Sequence, residues 1–174
     1  MYTFVTGGYR SGRSNYALRR ASELGSPPWL YVTAGEETDE AIRKRIERHR
    51  RDKEAIWRTA VVPADLRALM EPKALEGLGA VVLDGFMGWL HGRLKTAQPP
   101  TDAQLLDEVE ELSDRMYRSI VPILVVTTEM GLGMMPDGHD GQRFLKVAAS
   151  ANQILAANAG GVVMMVSGVP LKVR

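Results

Sequence analysis

Short apolar runs alternate with longer helical patterns along this chain. The runs Tyr2–Thr6, Trp29–Thr33, Ala80–Asp84, Ile120–Thr127 and Gly161–Ser167 read as strands, and four of them are dense in Val, Ile or Leu. That density, without polar alternation, is the pattern of strands buried on both faces. Between them lie helical patterns over Ser14–Leu24, Thr38–Asp52, Ala64–Met70, Phe86–Leu94, Asp102–Arg118 and Gly141–Asn158. Such alternation predicts an α/β fold with a mostly parallel central sheet, helices on both faces, and ligands at the carboxyl ends of the strands. The turn signals Ser26-Pro27-Pro28, Gln98-Pro99-Pro100 and Met135-Pro136-Asp137-Gly138 separate these units rather than domains. A chain of 174 residues suffices for one substantial core and is short for two, so residues 1–174 are expected to form one domain.

The first strand-to-helix junction carries the clearest chemistry. Gly7, Gly8, Tyr9, Arg10, Ser11, Gly12, Arg13 and Ser14 read GGYRSGRS, one residue away from the phosphate-binding loop G-x-x-x-x-G-K-S/T. Glycines there let backbone N–H groups turn inward as an anion nest at a helix N-terminus, where the dipole favours negative charge. Ser14 stands where the loop hydroxyl reaches Mg²⁺. Arg13 replaces the lysine, keeping the charge and exchanging a compact ammonium for a planar fork. Phosphate binding tolerates that exchange better than phosphoryl transfer, which depends on position. The bland alternative is a glycine-rich turn with no ligand.

Composition narrows the classes. A formal net charge of +1 provides no global field toward nucleic acid or anionic membrane. The absence of cysteine excludes disulfides, thiolate metal sites and a cysteine nucleophile. The N-terminus lacks the pattern of a signal peptide, and no segment approaches ~18 uninterrupted apolar residues, so a soluble cytoplasmic protein without membrane insertion is expected.

A second constellation is AIRKRIERHRRDK, Ala41–Lys53, which is apolar only through Ile42 and Ile46. One reading is a solvated helix whose charge is partly offset by Glu47 and Asp52. The other centres on His49. Flanking Arg48, Arg50 and Arg51 favour a neutral, nucleophilic imidazole and offer guanidiniums to a triphosphate, which suits a histidine that attacks an α-phosphate.

Several segments in order, VTGGYRSGRS, RIERHRRDKEAIWRT, VVLDG, TTEMGLGMMP and NQILAANAGGVVMMVSGVPLKV, resemble the bifunctional adenosylcobinamide kinase/adenosylcobinamide-phosphate guanylyltransferase family of cobalamin synthesis, over essentially the whole chain. The resemblance implies a RecA-like P-loop NTPase domain. It implies phosphorylation of adenosylcobinamide by ATP or GTP with Mg²⁺, then GMP transfer from GTP through a guanylylated histidine, here His49. Nucleotide contacts are implied at Gly7–Ser14, at Thr33, Ala34 and Gly35, at Arg50, Arg51, Asp52 and Lys53, and at Asp84. A homo-oligomer, a trimer, is implied as well. Asp84 also follows from position: an acid closing an apolar strand opposite a phosphate loop can hold Mg²⁺ with Ser14, or instead cap the next helix.

Departures from the family pattern fall where chemistry occurs. Besides Arg13, Val61 replaces an acid after W-R-T. Asp84-Gly85-Phe86-Met87-Gly88-Trp89-Leu90 replaces a pattern like D-C-L-T-x-W-L. Thr127-Thr128-Glu129 stands for T-N-E, and Phe144-Leu145-Lys146 for F-R-D. Two other readings therefore stay open: a binding paralogue that has lost one or both activities, and a P-loop kinase for another small metabolite. Glu129 reads equally as a substrate or metal contact and as a solvated loop carboxylate. His91 and His139 lack partners at metal-binding spacing. Trp57 and Trp89 read as packing, and Met130, Met134, Met135, Met164 and Met165 mostly as core filler.

Overall fold

A computed structural model describes residues 1–34, 44, 57–133 and 135–174. Strands β1 (Tyr2–Gly7), β2 (Trp29–Thr33), β3 (Trp57–Val61), β4 (Ala80–Leu83), β5 (Ile123–Val126), β6 (Gly161–Val166) and β7 (Val169–Lys172) form one sheet in the order β3-β2-β4-β5-β1-β6-β7. All neighbours are parallel except β6 and β7. The helices are α1 (Arg13–Leu24), α2 (Pro72–Leu75), α3 (Phe86–Leu94), α4 (Asp102–Arg118) and α5 (His139–Asn158). The expected helix Thr38–Asp52 lies outside the described residues, apart from Lys44.

The central strands are apolar because both of their faces are covered. Ile123 and Val125 enter a large core with Tyr2, Phe4 and the buried faces of α4 and α5, while Leu124 and Val126 enter a second core with Val5 and with Ala17, Leu18 and Ala21 of α1. Val81 and Leu83 against Ala80 and Val82 repeat the same division on β4. Tyr2 places the one polar atom of its side chain in the larger core, where the phenol donates to the Leu155 carbonyl at 2.6 Å and shares a 2.8 Å hydrogen bond with Ser113. Burial pushes that phenol up to about 12.

The structure departs from the sequence pattern at the sheet edges. β3 was not expected, because only Trp57 of its residues is buried. β7 was not expected either: all four residues are exposed and Pro170 interrupts them, which an edge strand tolerates. Ser167 and Gly168, both with positive φ (49° and 87°), make the two-residue turn that joins β7 to β6. The expected strand Ile120–Thr127 shortens to Ile123–Val126, since Ile120 is 97% exposed and Pro122 follows it. Ala64–Met70 is instead a 3₁₀ turn over Leu66–Met70, capped by Asp65, whose carboxylate accepts from Arg67 N–H. The last helix begins two residues earlier than Gly141, at His139.

Candidate functional site

The Gly7–Ser14 loop leaves β1 at the carboxyl end of the sheet and enters α1, as its spacing predicts. Gly12 is the N-cap with φ 91°, a left-handed conformation that glycine adopts without strain, and no side chain caps α1. No acidic residue occupies the first turn of α1 either; the carboxylate that reaches this helix end comes from outside it, from Asp84. The crest Gly8-Tyr9-Arg10 is exposed, and Arg10 holds φ 53°. The β6–β7 turn braces the loop from one side: Gly168 N–H donates to the Ser11 carbonyl at 2.9 Å. A Cβ at Gly7 would sit 2.7 Å from the Met165 carbonyl oxygen and 2.6 Å from Ser11 Oγ, so a larger residue has no room there. Ser11 Oγ is buried and has no hydrogen-bond partner among the described residues. Backbone donors, an uncapped helix end and an unpartnered hydroxyl are the features of a seat for a phosphate group.

Arg13 lies against this seat. Its Nη1 donates to the carbonyls of Gly7 at 3.0 Å and Gly8 at 2.6 Å, and its Nη2 donates to Thr128 Oγ1 at 2.9 Å. Burial lowers the Arg13 pKa, and the nearby charge of Asp84 opposes that shift. Asp84 follows β4 directly, with its N–H donating to the Val32 carbonyl at 2.8 Å. Its carboxylate accepts from the Tyr31 hydroxyl at 2.7 Å and is hydrogen-bonded to the Ser14 side chain. Burial raises its pKa, and the hydroxyls of Ser14 and Tyr31 and the charge of Arg13 pull the other way. The helix-capping alternative for Asp84 does not hold, because the N-cap of α3 is Gly85 and no side chain caps it.

Ser14 and Asp84 thus meet, and a hydroxyl beside a carboxylate is a donor set that suits Mg²⁺. Among the described residues no group of three or more His, Asp or Glu side chains is placed to hold a metal. A cation at Ser14 and Asp84 would therefore complete its shell with nucleotide oxygens and water, as Mg²⁺ commonly does.

Thr33 ends β2 and Ala34 follows it, next to this corner. The Thr33 carbonyl accepts from Val62 N–H at 2.8 Å, and a Cβ at Gly88 would lie 2.3 Å from Ala34 Cβ. Gly35, His49, Arg50, Arg51, Asp52 and Lys53 lie outside the described residues. Glu129 sits near the loop, its N–H donating to the Gly7 carbonyl at 3.0 Å, while its carboxylate accepts from Gly131 N–H at 2.8 Å. Trp57 and Trp89 are buried, and Trp89 donates to the Ala64 carbonyl, so both pack as expected. Met165 lies in the second core and Met130 packs against the larger one, but Met135 is 67% exposed and is not core filler; Met134 lies outside the described residues.

The residues that the sequence did not point to are Tyr31, Asn152 and Gly168. A tyrosine inside an apolar strand signals a hydroxyl that needs a partner, and a Ser-Gly pair between two apolar runs signals a hairpin. Thr128 stands in the sequence only within the Thr127-Thr128-Glu129 departure, and nothing there signals its contact with Arg13, 115 positions away.

Comparison with known proteins agrees with this geometry. The family described as cobinamide kinase / cobinamide phosphate guanyltransferase matches residues 3–173. The bifunctional adenosylcobalamin biosynthesis protein CobU of Salmonella typhimurium is 30% identical, with 100% of both chains covered. The bifunctional adenosylcobalamin biosynthesis protein CobP of Pseudomonas aeruginosa is 31% identical over 100% of this chain and 98% of its own. The Escherichia coli CobU protein is 29% identical, again over the full length of both. With a phosphate loop at the carboxyl end of a mostly parallel sheet and a match from end to end, this chain belongs to the cobinamide kinase / cobinamide phosphate guanyltransferase family.

Proposed function

We propose that this chain phosphorylates adenosylcobinamide with a nucleoside triphosphate and then transfers GMP from GTP to the resulting phosphate. The observation that carries the reading is the convergence of the Gly7–Ser14 loop, the Arg13 guanidinium and the Ser14–Asp84 pair at one end of the sheet. The loop N–H groups and the α1 dipole bind phosphate oxygens, and Arg13 adds a cation beside them. Ser14 and Asp84 hold Mg²⁺, which when bound neutralises charge on the β- and γ-phosphates. Thr33, Ala34 and Gly35, with Arg50, Arg51, Asp52 and Lys53, contact the nucleotide in this reading.

Guanylyl transfer rests on His49. An imidazole nitrogen attacks the α-phosphorus of GTP, a P–N bond forms, the α–β bridging P–O bond breaks and pyrophosphate leaves. A phosphate oxygen of the corrinoid phosphate then attacks the same phosphorus and frees the histidine. The reading includes a cytoplasmic homotrimer of single-domain subunits. Among the described residues no helix is long and apolar enough to cross a membrane.

The test uses two labels. Incubation with Mg²⁺, adenosylcobinamide and γ-labelled ATP or GTP should move label to the corrinoid, and α-labelled GTP should leave label on the protein. His49→Ala should abolish the second and spare the first. No transfer of either label overturns the reading. A second reading, nucleotide binding without turnover, draws on Arg13 being hydrogen-bonded to its own loop; it predicts GTP affinity without label transfer, and a gain of transfer in Arg13→Lys.

A further inference from the structure

A planar cation needs an orienting partner that a lysine does not, and the segment that follows β5 supplies one. Arg13 has five N–H groups in one plane. Nη1 directs its two at the Gly7 and Gly8 carbonyls, and Nη2 directs one at Thr128 Oγ1. The other N–H of Nη2 and that of Nε make no hydrogen bond to another described residue. Anchored at Nη1 alone, the fork could turn about that edge; a second anchor at the far nitrogen fixes its plane.

Thr128 is itself held on several sides. Thr127 N–H donates to the Val5 carbonyl at 2.9 Å, and Glu129 N–H donates to the Gly7 carbonyl at 3.0 Å, so both neighbours are tied to β1. The Thr128 carbonyl accepts from Asn152 Nδ2 at 2.8 Å, and Asn152, on α5, is only 8% exposed. A hydroxyl on a β-branched residue so fixed has little freedom to move.

We infer that Thr128 is a positioning residue for the nucleotide: its hydroxyl sets the plane of the Arg13 guanidinium, so that the remaining N–H groups face a phosphate group held by the loop. The inference rests on the nucleotide reading above. It assigns Thr128 no contact with substrate, only an action through Arg13.

The test is a double-mutant cycle read by titration of the full-length protein with GTP and with ATP. Thr128→Val keeps the shape and removes the hydroxyl; it should weaken binding ~10-fold, in line with loss of one hydrogen bond to a charged group. Thr128→Ser should restore affinity to within about twofold. In an Arg13→Met background, Thr128→Val should change affinity by less than about twofold. Wild-type affinity in Thr128→Val overturns the inference, and so does an undiminished effect in the Arg13→Met background, which would mark Thr128 as merely structural. If Thr128→Val does not fold, Thr128→Ala takes its place in the same cycle. A wild-type protein that binds neither nucleotide overturns the nucleotide reading and this inference together, a result distinct from the other two.

Discussion

Arginine and carboxylate meet in two parts of this molecule, and they do so differently. On the outer face of α4, Arg67 contacts Asp65 at 2.8 Å and Glu111 at 2.5 Å, and Arg115 contacts Glu71 at 2.6 Å and Glu111 at 2.8 Å. These groups face water, and each charge touches an opposite one. The hydrogen bond from Arg67 holds the Glu111 carboxyl below the usual carboxylate range. At the phosphate loop, Arg13 and Asp84 form no direct ion pair. Arg13 is bonded to carbonyls and a hydroxyl, Asp84 to hydroxyls, and burial drives each toward its neutral form. Charges neutralised by each other in water contribute little beyond local order. Charges withdrawn from water and hydrogen-bonded to dipoles rather than to each other keep more of their field for a ligand, which is the arrangement expected of a site.

The largest effect should follow from removing the loop cation. Arg13→Met is expected to weaken GTP or ATP binding ~100-fold, because a charge-assisted contact to phosphate is lost. Calorimetric titration checks this, and near-normal affinity in Arg13→Met would erase the distinction between the two regions.

Asp84→Asn tests the opposite charge. Mg²⁺-dependent turnover should fall ~100-fold, while the Tyr31 and Ser14 hydroxyls keep a partner of the same shape. Stability should move the other way with pH. The folded-state pKa of Asp84 is raised, so its contribution is fully present below the ordinary carboxylate value and is lost as pH rises through the raised value. Wild-type stability measured against Asp84→Asn should therefore decline from about pH 4 upward. Denaturant midpoints of both proteins across that range decide it; a wild-type advantage that grows with pH would show the carboxylate to be stabilised rather than strained.

A third test concerns the backing of this corner. A Cβ at Gly85 would fall 2.8 Å from both Ala34 N and Thr33 C, and one at Gly88 would fall 2.3 Å from Ala34 Cβ. Gly88→Ala should then cost ~1–3 kcal/mol of stability by overpacking and weaken nucleotide binding if Thr33 and Ala34 touch the nucleotide. Thermal melts read the first and titration the second. A variant as stable as the wild type would mean that the end of β2 is free to shift.

How far the sequence reveals this arrangement follows from the range of the interactions. The loop was legible because its glycines, Arg13 and Ser14 are consecutive and follow an apolar strand. Asp84 was legible because it ends another such strand. The edge strands β3 and β7 were not, since exposed strands lack the apolar runs that buried ones need. What Thr128 and Asn152 touch was hidden for a different reason. Their contacts depend on β5 lying beside β1 and on α5 packing over them, and neither adjacency is written in local spacing. Arg13 and Thr128, separate positions in the pattern that the resemblance implies, touch in the fold and form one contact.

The smallest effect is expected on α4, and its smallness is the point. Glu111→Gln removes the carboxylate shared by two arginines, yet each keeps another partner. Arg67 still donates to Asp65 through Nε at 2.8 Å and Nη2 at 3.0 Å, and Arg115 still reaches Glu71 at 2.6 Å. Neither cation is left buried and alone, so no desolvation penalty appears. The melting midpoint should fall by less than about 3 °C at low salt, and the difference should close at ~0.5 M salt, where exposed charges are screened. Nucleotide affinity should stay within about twofold of wild type. A larger fall that persists in high salt would mean that the α4 cluster holds charge as poorly compensated as that of Arg13. Direct ion pairing would then no longer separate a structural cluster from a binding site in this fold.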